Sequence, residues 1–124
     1  MPFAYWCVLI AAVLPTVWVM YAKRSHGDNH NPRDGIDALP APQRRAYGAH
    51  LNAIESFPFF AAAVIIALTM GAPVSIVNWL AGLYVVIRII HGLLYIADQA
   101  SLRSMSYLAG FVVNVAIFVL PALT

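Results

Sequence analysis

The chain alternates four long apolar runs with three breaks, two of them polar. Phe3 to Ala22 carries no charged residue, over about the 20 positions a helix needs to cross a hydrocarbon core of about 30 Å. Pro15 within this run predicts a bend. A cleaved signal peptide is the rival reading, but no basic residue precedes the run and no small-x-small site follows it, so a retained helix is expected. From Lys23 the pattern changes to KRSHGDNHNPRDGIDALPAPQR, rich in Asn, Asp, Gly and Pro, which reads as a solvated loop over 23–42. Pro42 suits a first helical position. Residues 43–70 then read as one helix of about 28 residues, roughly 42 Å long, whose first turns project from the hydrocarbon. Pro58 inside it predicts a kink just past Glu55, because it removes a backbone donor and frees the carbonyl of Ile54. Met70-Gly-Ala-Pro73 reads as a tight turn, 74–97 as a third span, Asp98 to Leu102 as a link and 103–121 as a fourth span. The expected fold is an all-α integral membrane protein, one four-transmembrane-helix domain over 3–22, 43–70, 74–97 and 103–121.

Composition strengthens this reading. At 62% hydrophobic and 10% charged the chain is more apolar than the roughly 45–50% of a soluble domain. A net charge of +2 gives no reason to expect nucleic acid as a partner. The one cysteine, Cys7, cannot form an intrachain disulfide. Lys23, Arg24, Arg33, Arg44 and Arg45 lie in or beside the first loop, and Arg103 opens the fourth span on the same side. The termini and the Gly71 to Pro73 turn carry no basic residue. This asymmetry predicts cytoplasmic loops and both termini on the opposite side of the membrane. His26, Asp28 and His30 in the loop raise the question of a metal, but a Gly-Asp-Asn tract offers no fixed ligand geometry, so no metal site is expected.

The chemistry of the chain is concentrated in a few polar positions inside the spans. An ionisable group in the bilayer core costs roughly 2.5–3.5 kcal/mol on insertion scales, so it persists where a partner or a function compensates. Glu55, Arg88 and Asn114 all lie about 15 Å from the loop-side ends of their helices, at 1.5 Å per residue, and form one layer. Each belongs to a stripe stepped by four, three and four: Gly48, Asn52, Glu55 and Phe59; Tyr84, Arg88, His91 and Tyr95; Arg103, Tyr107, Gly110 and Asn114. Equal depth and opposite charge predict that Glu55 pairs with Arg88, within a subunit or across a seam, and that the Glu55, Arg88 and Asn114 layer fixes helix register. Nearer the surface, His50, Asn52, His91, Tyr95, Arg103 and Tyr107 offer donors and cations within reach of a water-soluble ligand. Small residues Ala49, Ala53 and Ala61 to Ala63 suit close approach of second helices.

These residues carry a resemblance. Arg45-Ala-Tyr-Gly-Ala-His-Leu-Asn52-Ala-Ile-Glu55-Ser-Phe-Pro58, Arg88-Ile-Ile-His91-Gly-Leu-Leu-Tyr95 and Arg103-Ser-Met-Ser-Tyr107 resemble the MAPEG family, the membrane-associated proteins in eicosanoid and glutathione metabolism, in its bacterial type. The size, the four spans and the long first inner loop fit as well, so the resemblance covers nearly the whole chain. It implies a homotrimer in a bacterial inner membrane, glutathione bound between subunits near the cytoplasmic face, and a lipophilic substrate arriving from the lipid bilayer. It maps glutathione contacts onto Asn52, Glu55, His91, Tyr95, Arg103 and Tyr107, with Arg103 as the catalytic residue that stabilises the thiolate. Glutathione-binding members carry an arginine beside the Ala-His pair where this chain has Gly48 and Leu51; Arg44 or Arg45, one turn away, is the expected substitute ligand.

Three functions are consistent with these residues. The first is a glutathione-dependent transferase or peroxidase acting on lipophilic electrophiles or lipid hydroperoxides. The second is a non-catalytic MAPEG-like protein, an accessory subunit of a larger membrane complex. The third is a proton relay or transporter built on Glu55, Arg88 and His91, for which four short spans leave little room.

Overall fold

The computed structural model describes residues 1–24 and 30–124. Four helices account for nearly all of them: α1 (Phe3–Lys23), α2 (Ala41–Thr69), α3 (Val74–Ile96) and α4 (Ala100–Leu123), with one short 3-10 turn at Ile36–Ala38. Each of the four is long and apolar enough to cross a membrane. Helices α1 and α2 continue without interruption through Pro15 and Pro58. Of the loop residues considered as metal ligands, His26 and Asp28 lie outside the described residues.

Two helix ends are built alike. After α2, Gly71 adopts φ 84°, its N–H reaches the Leu68 carbonyl and the Ala72 N–H reaches that of Ala67. After α3, Asp98 adopts φ 61°, its N–H reaches Tyr95 and the Gln99 N–H reaches Leu94. Both are Schellman closures, which meet the last carbonyls of a helix through one left-handed residue. Glycine enters that conformation freely and aspartate more readily than most residues. The second closure is so short that α4 opens at Ala100, earlier than the expected 103, which leaves Arg103 in its first turn.

The helices pack around two apolar clusters. One lies toward the α2–α3 turn, where Phe60 stacks on Tyr84 with ring centroids 4.0 Å apart and Ala63, Val64, Val77 and Ile117 are fully buried. The other lies toward the first loop and joins Leu14 and Trp18 of α1 to Ala49 and Ala53 of α2. Side chains also tie the helix ends together. The Ala4 N–H, an orphan donor at the start of α1, donates to the Asn78 side-chain oxygen of α3 at 2.9 Å. At the opposite end Arg45 Nε donates to the Ile96 carbonyl at 2.9 Å, meeting one of α3's last acceptors. These two bonds fix the ends of the bundle: the first loop and the α3–α4 link share one, the N-terminus and the α2–α3 turn the other.

The alanines of α2 are placed differently from the expectation. Ala49, Ala53 and Ala63 are buried inside the subunit, against its own α1 and the central core. They bring α1 to α2, while the face opposite them carries the large residues Leu51, Ile54, Ile65 and Ile66, all exposed on the single subunit. Ala62 lies on the exposed side.

Gly92 sets the α1–α3 distance at the loop end. A Cβ there would overlap the Trp18 indole, so the ring lies directly on the α3 backbone. Gly92→Ala is expected to destabilise the protein by about 1–3 kcal/mol through overpacking, less about 1 kcal/mol of improved helix propensity. Trp18→Leu in the same chain should recover part of the loss. Thermal unfolding in detergent checks both, and a more stable Gly92→Ala single variant would contradict the contact.

Candidate functional site

The polar stripes of α2, α3 and α4 converge at the loop end of the bundle. Asn52, His91, Tyr95, Arg103, Ser104 and Tyr107 line a cavity of about 270 Å³. Arg103 lies in the first turn of α4 and its guanidinium sits 4.6 Å from the centroid of the Tyr95 ring. That cation–π contact holds a long, mobile side chain in place at little expense in hydrogen-bonding capacity. His91 packs edge-on to Tyr95 at 5.9 Å and tilted to Tyr107 at 6.3 Å. His91 is only 2% exposed, and its Nδ1 has no hydrogen-bond partner.

Gly48 is what lets Tyr95 take this position. A Cβ on Gly48 would stand 2.5 Å from the Tyr95 hydroxyl and 2.7 Å from the ring carbon that bears it. The departure from arginine at this position therefore has a physical reason: the space is filled by Tyr95, which carries Arg103. Any side chain at position 48 would have to displace the ring.

A second cavity, about 230 Å³, lies deeper between α2, α3 and α4 and shares Tyr107 with the first. Glu55, Arg88 and Asn114 all line it, together with Ser56, Phe59, Tyr84, Gly110 and Phe111. The expected layer is thus gathered at one cavity, but its bonding differs from the expectation. Within the subunit, Arg88 donates to the Asn52 side-chain oxygen at 2.5 Å rather than to Glu55. Arg88 is 4% exposed, whereas Glu55 is exposed on α2. Ser56 in turn donates to the Asn52 backbone carbonyl at 2.8 Å.

Two further candidates lie outside these cavities on the single subunit. Arg45 lines neither cavity and is held at the end of α3 by Ile96. His50 is turned away from both, with Nδ1 2.8 Å from the Pro15 carbonyl of α1; since a carbonyl only accepts, the proton of that ring lies on Nδ1. Ser104 is the cavity residue that sequence reasoning passed over, although it stands within the quoted Arg103-Ser-Met-Ser-Tyr107 segment. Its position one residue past Arg103 at a helix start was the available signal.

The Arg88 to Asn52 bond is the one polar link between α2 and α3 inside the apolar zone among the described residues. Hydrogen bonds to charged groups contribute about 1.5–3 kcal/mol. Asn52→Leu is therefore expected to lower stability by that amount, and Asn52→Gln to lose less because it keeps an amide oxygen. Unfolding midpoints in detergent measure this, and a Leu variant as stable as the parent would refute it.

The fold, the motif residues and their clustering can be set against known proteins. Comparison with curated proteins and with solved structures finds no match. The family model described as MAPEG family matches residues 3–123, nearly the entire chain of 124. With four helices able to cross a membrane, this is an integral, multi-pass membrane protein, and the chain belongs to the MAPEG family.

Proposed function

We propose that the protein is a glutathione-dependent transferase or peroxidase that acts on lipophilic electrophiles or lipid hydroperoxides. The observation that carries this reading is the seating of Arg103, in the first turn of α4, at a polar cavity with Asn52, His91, Tyr95, Ser104 and Tyr107. The donor set suits an anionic peptide thiol: a guanidinium, a helix N-terminus, an amide, an imidazole and two phenols. On this reading Asn52, His91, Tyr95 and Tyr107 hold glutathione, Glu55 reaches its amino group, and Arg103 faces the sulfur. A bound thiol supplies the nucleophile. Arg103 and the α4 N-terminus favour the negative sulfur, so the thiol's pKa falls. A drop from about 8.5–9 to near 7 raises the thiolate fraction at neutral pH from a few per cent to about half, roughly a tenfold gain.

Assembly belongs to the same proposal. A homotrimer would cover the exposed Leu51, Ile54 and Glu55 face of α2, and Glu55 would meet a neighbour's groups there. The basic residues Lys23, Arg24, Arg44, Arg45 and Arg103 share the loop end, which supports a cytoplasmic loop side in a bacterial inner membrane, with both termini opposite.

A second reading, a non-catalytic member or an accessory subunit of a larger membrane complex, is favoured by one feature. Tyr95 fills the place of the family arginine at Gly48, and Arg45 is committed to Ile96, so fewer cations face the cavity.

Calorimetry with glutathione on the detergent-solubilised protein separates the two. If the catalytic reading holds, glutathione binds and thiolate absorbance near the ultraviolet edge appears at neutral pH. Arg103→Ala should remove that absorbance while leaving the unfolding midpoint within a few degrees of the parent. Absence of both binding and thiolate in the parent chain would move the assignment to the non-catalytic reading.

A further inference from the structure

A recess of about 580 Å³ lies at the loop end of the bundle, between the segment that precedes α2 and the first turns of α2 itself. It shares no residue with the cavity at Arg103. Arg33, Asp34 and Asp37 of the loop line it, together with Arg44, Tyr47 and Leu51 of α2. Its walls are tied to each other. Gly35, at φ 74°, opens the 3-10 turn Ile36–Ala38, Leu39 behind that turn is buried, and Arg44 donates back to the Asp37 backbone carbonyl at 3.5 Å. That bond is long, and it goes to a neutral carbonyl although two carboxylates line the same recess. Among the described residues no ion pair joins the two arginines to the two aspartates. Two positive and two negative groups around one space, none cancelled by another, match a ligand that carries both signs. Tyr47 and Leu51 bring the recess to the edge of the hydrocarbon, since the same face of α2 continues as the exposed, apolar Ile54. A tyrosine at that level meets lipid headgroups.

We infer that this recess binds a phosphoethanolamine group, a phosphate ester joined to a primary ammonium. The phosphate goes to Arg33 and Arg44, because it has oxygens enough for two guanidiniums, whereas a carboxylate is filled by one bidentate arginine. The ammonium goes to Asp34 and Asp37, which accept its N–H bonds. Other groups fit less well. Phosphocholine has no N–H to give, and Tyr47, the one ring on the wall among the described residues, falls short of the aromatic cage that holds a quaternary ammonium. Phosphoglycerol brings an anion without a cation and leaves both aspartates opposed to it. All four charged side chains are exposed, so each contact is of modest strength and the selectivity comes from their sum. The same group is carried by a membrane lipid and by a water-soluble ester, and the recess recognises what the two share. The inference is independent of whether glutathione binds at Arg103.

The test uses the full-length protein in two settings. In phosphatidylcholine nanodiscs, phosphatidylethanolamine or phosphatidylglycerol is added at equal mole fraction and binding is read from the shift in unfolding midpoint. In detergent, glycerophosphoethanolamine, glycerophosphocholine and β-alanine are titrated by calorimetry. The ethanolamine compound should bind about fivefold more tightly than its choline counterpart, the factor that one exposed charge pair supplies. A preference in nanodiscs alone assigns the site to the lipid, and a preference in detergent as well assigns it to the free group. The double variants Arg33→Gln with Arg44→Gln, and Asp34→Asn with Asp37→Asn, should each abolish the preference. Arg24→Gln, which removes a loop-end charge outside the recess, should keep it. No preference in either setting overturns the inference. Phosphatidylglycerol or β-alanine binding as tightly as the ethanolamine compound overturns it too, as does a preference that survives either double variant or is lost in Arg24→Gln.

Discussion

A guanidinium inside the apolar part of a helix bundle constrains everything packed near it. Arg88 is almost completely buried on α3, and its side chain is met by the neutral amide of Asn52 on α2. A carboxylate in that place would cancel the charge; an amide hydrogen-bonds it and leaves the charge standing. The positive potential of Arg88 thus extends over both cavities, added to by Arg103 at the loop end and countered by Glu55, which lines the deeper one. Charges interact strongly where little water screens them. The same choice of partner explains why α2 and α3 are locked in register while Glu55 remains on an outward face.

Polar groups can meet at this depth only because the backbones approach closely. Ala49 and Ala53 admit α1 to α2, Gly92 admits the Trp18 indole to α3, and Gly48 admits the Tyr95 phenol to α2. Lipid gives helices no hydrophobic reason to associate, so this dispersion contact and the few polar bonds must hold them together. Two of these small residues act beyond packing. Gly92 draws α1 onto the helix that carries Arg88 and His91, and Gly48 seats the ring that carries Arg103. Absence of a side chain shapes the site as much as any side chain present.

The four spans were legible because a charge-free apolar run of membrane length has few alternative readings, and the loop was legible from its Asn, Asp, Gly and Pro. The helix ends were less so: Asp98 closes α3 in a left-handed conformation that nothing in its type demands. Depth along a helix could be counted from the sequence, which is why Glu55, Arg88 and Asn114 line one cavity. Rotation and reach could not. Asn52 lies one turn from Glu55 on the same stripe, and it is this amide that the Arg88 side chain takes. Likewise the alanines of α2 announced close packing but not its partner, and Arg45 announced a cation but not the α3 carbonyl that holds it.

Tyr107 stands where the cavity at Arg103 and the deeper one touch. On one side are Arg103 and a polar cavity at the loop end; on the other are Asn114, Phe59 and Phe111 at the depth of the acyl chains. A water-soluble thiol and an oil-soluble substrate cannot share a solvent, so a protein that joins them must offer each its own entrance and a common wall. The phenol suits that wall, since its ring is compatible with the apolar side while its hydroxyl both donates and accepts. Arg88, beneath it, is fixed by Asn52, which itself lines the first cavity. The bond that holds the helices thus runs between the two cavities, with Asn52 lining the first and Arg88 the deeper one.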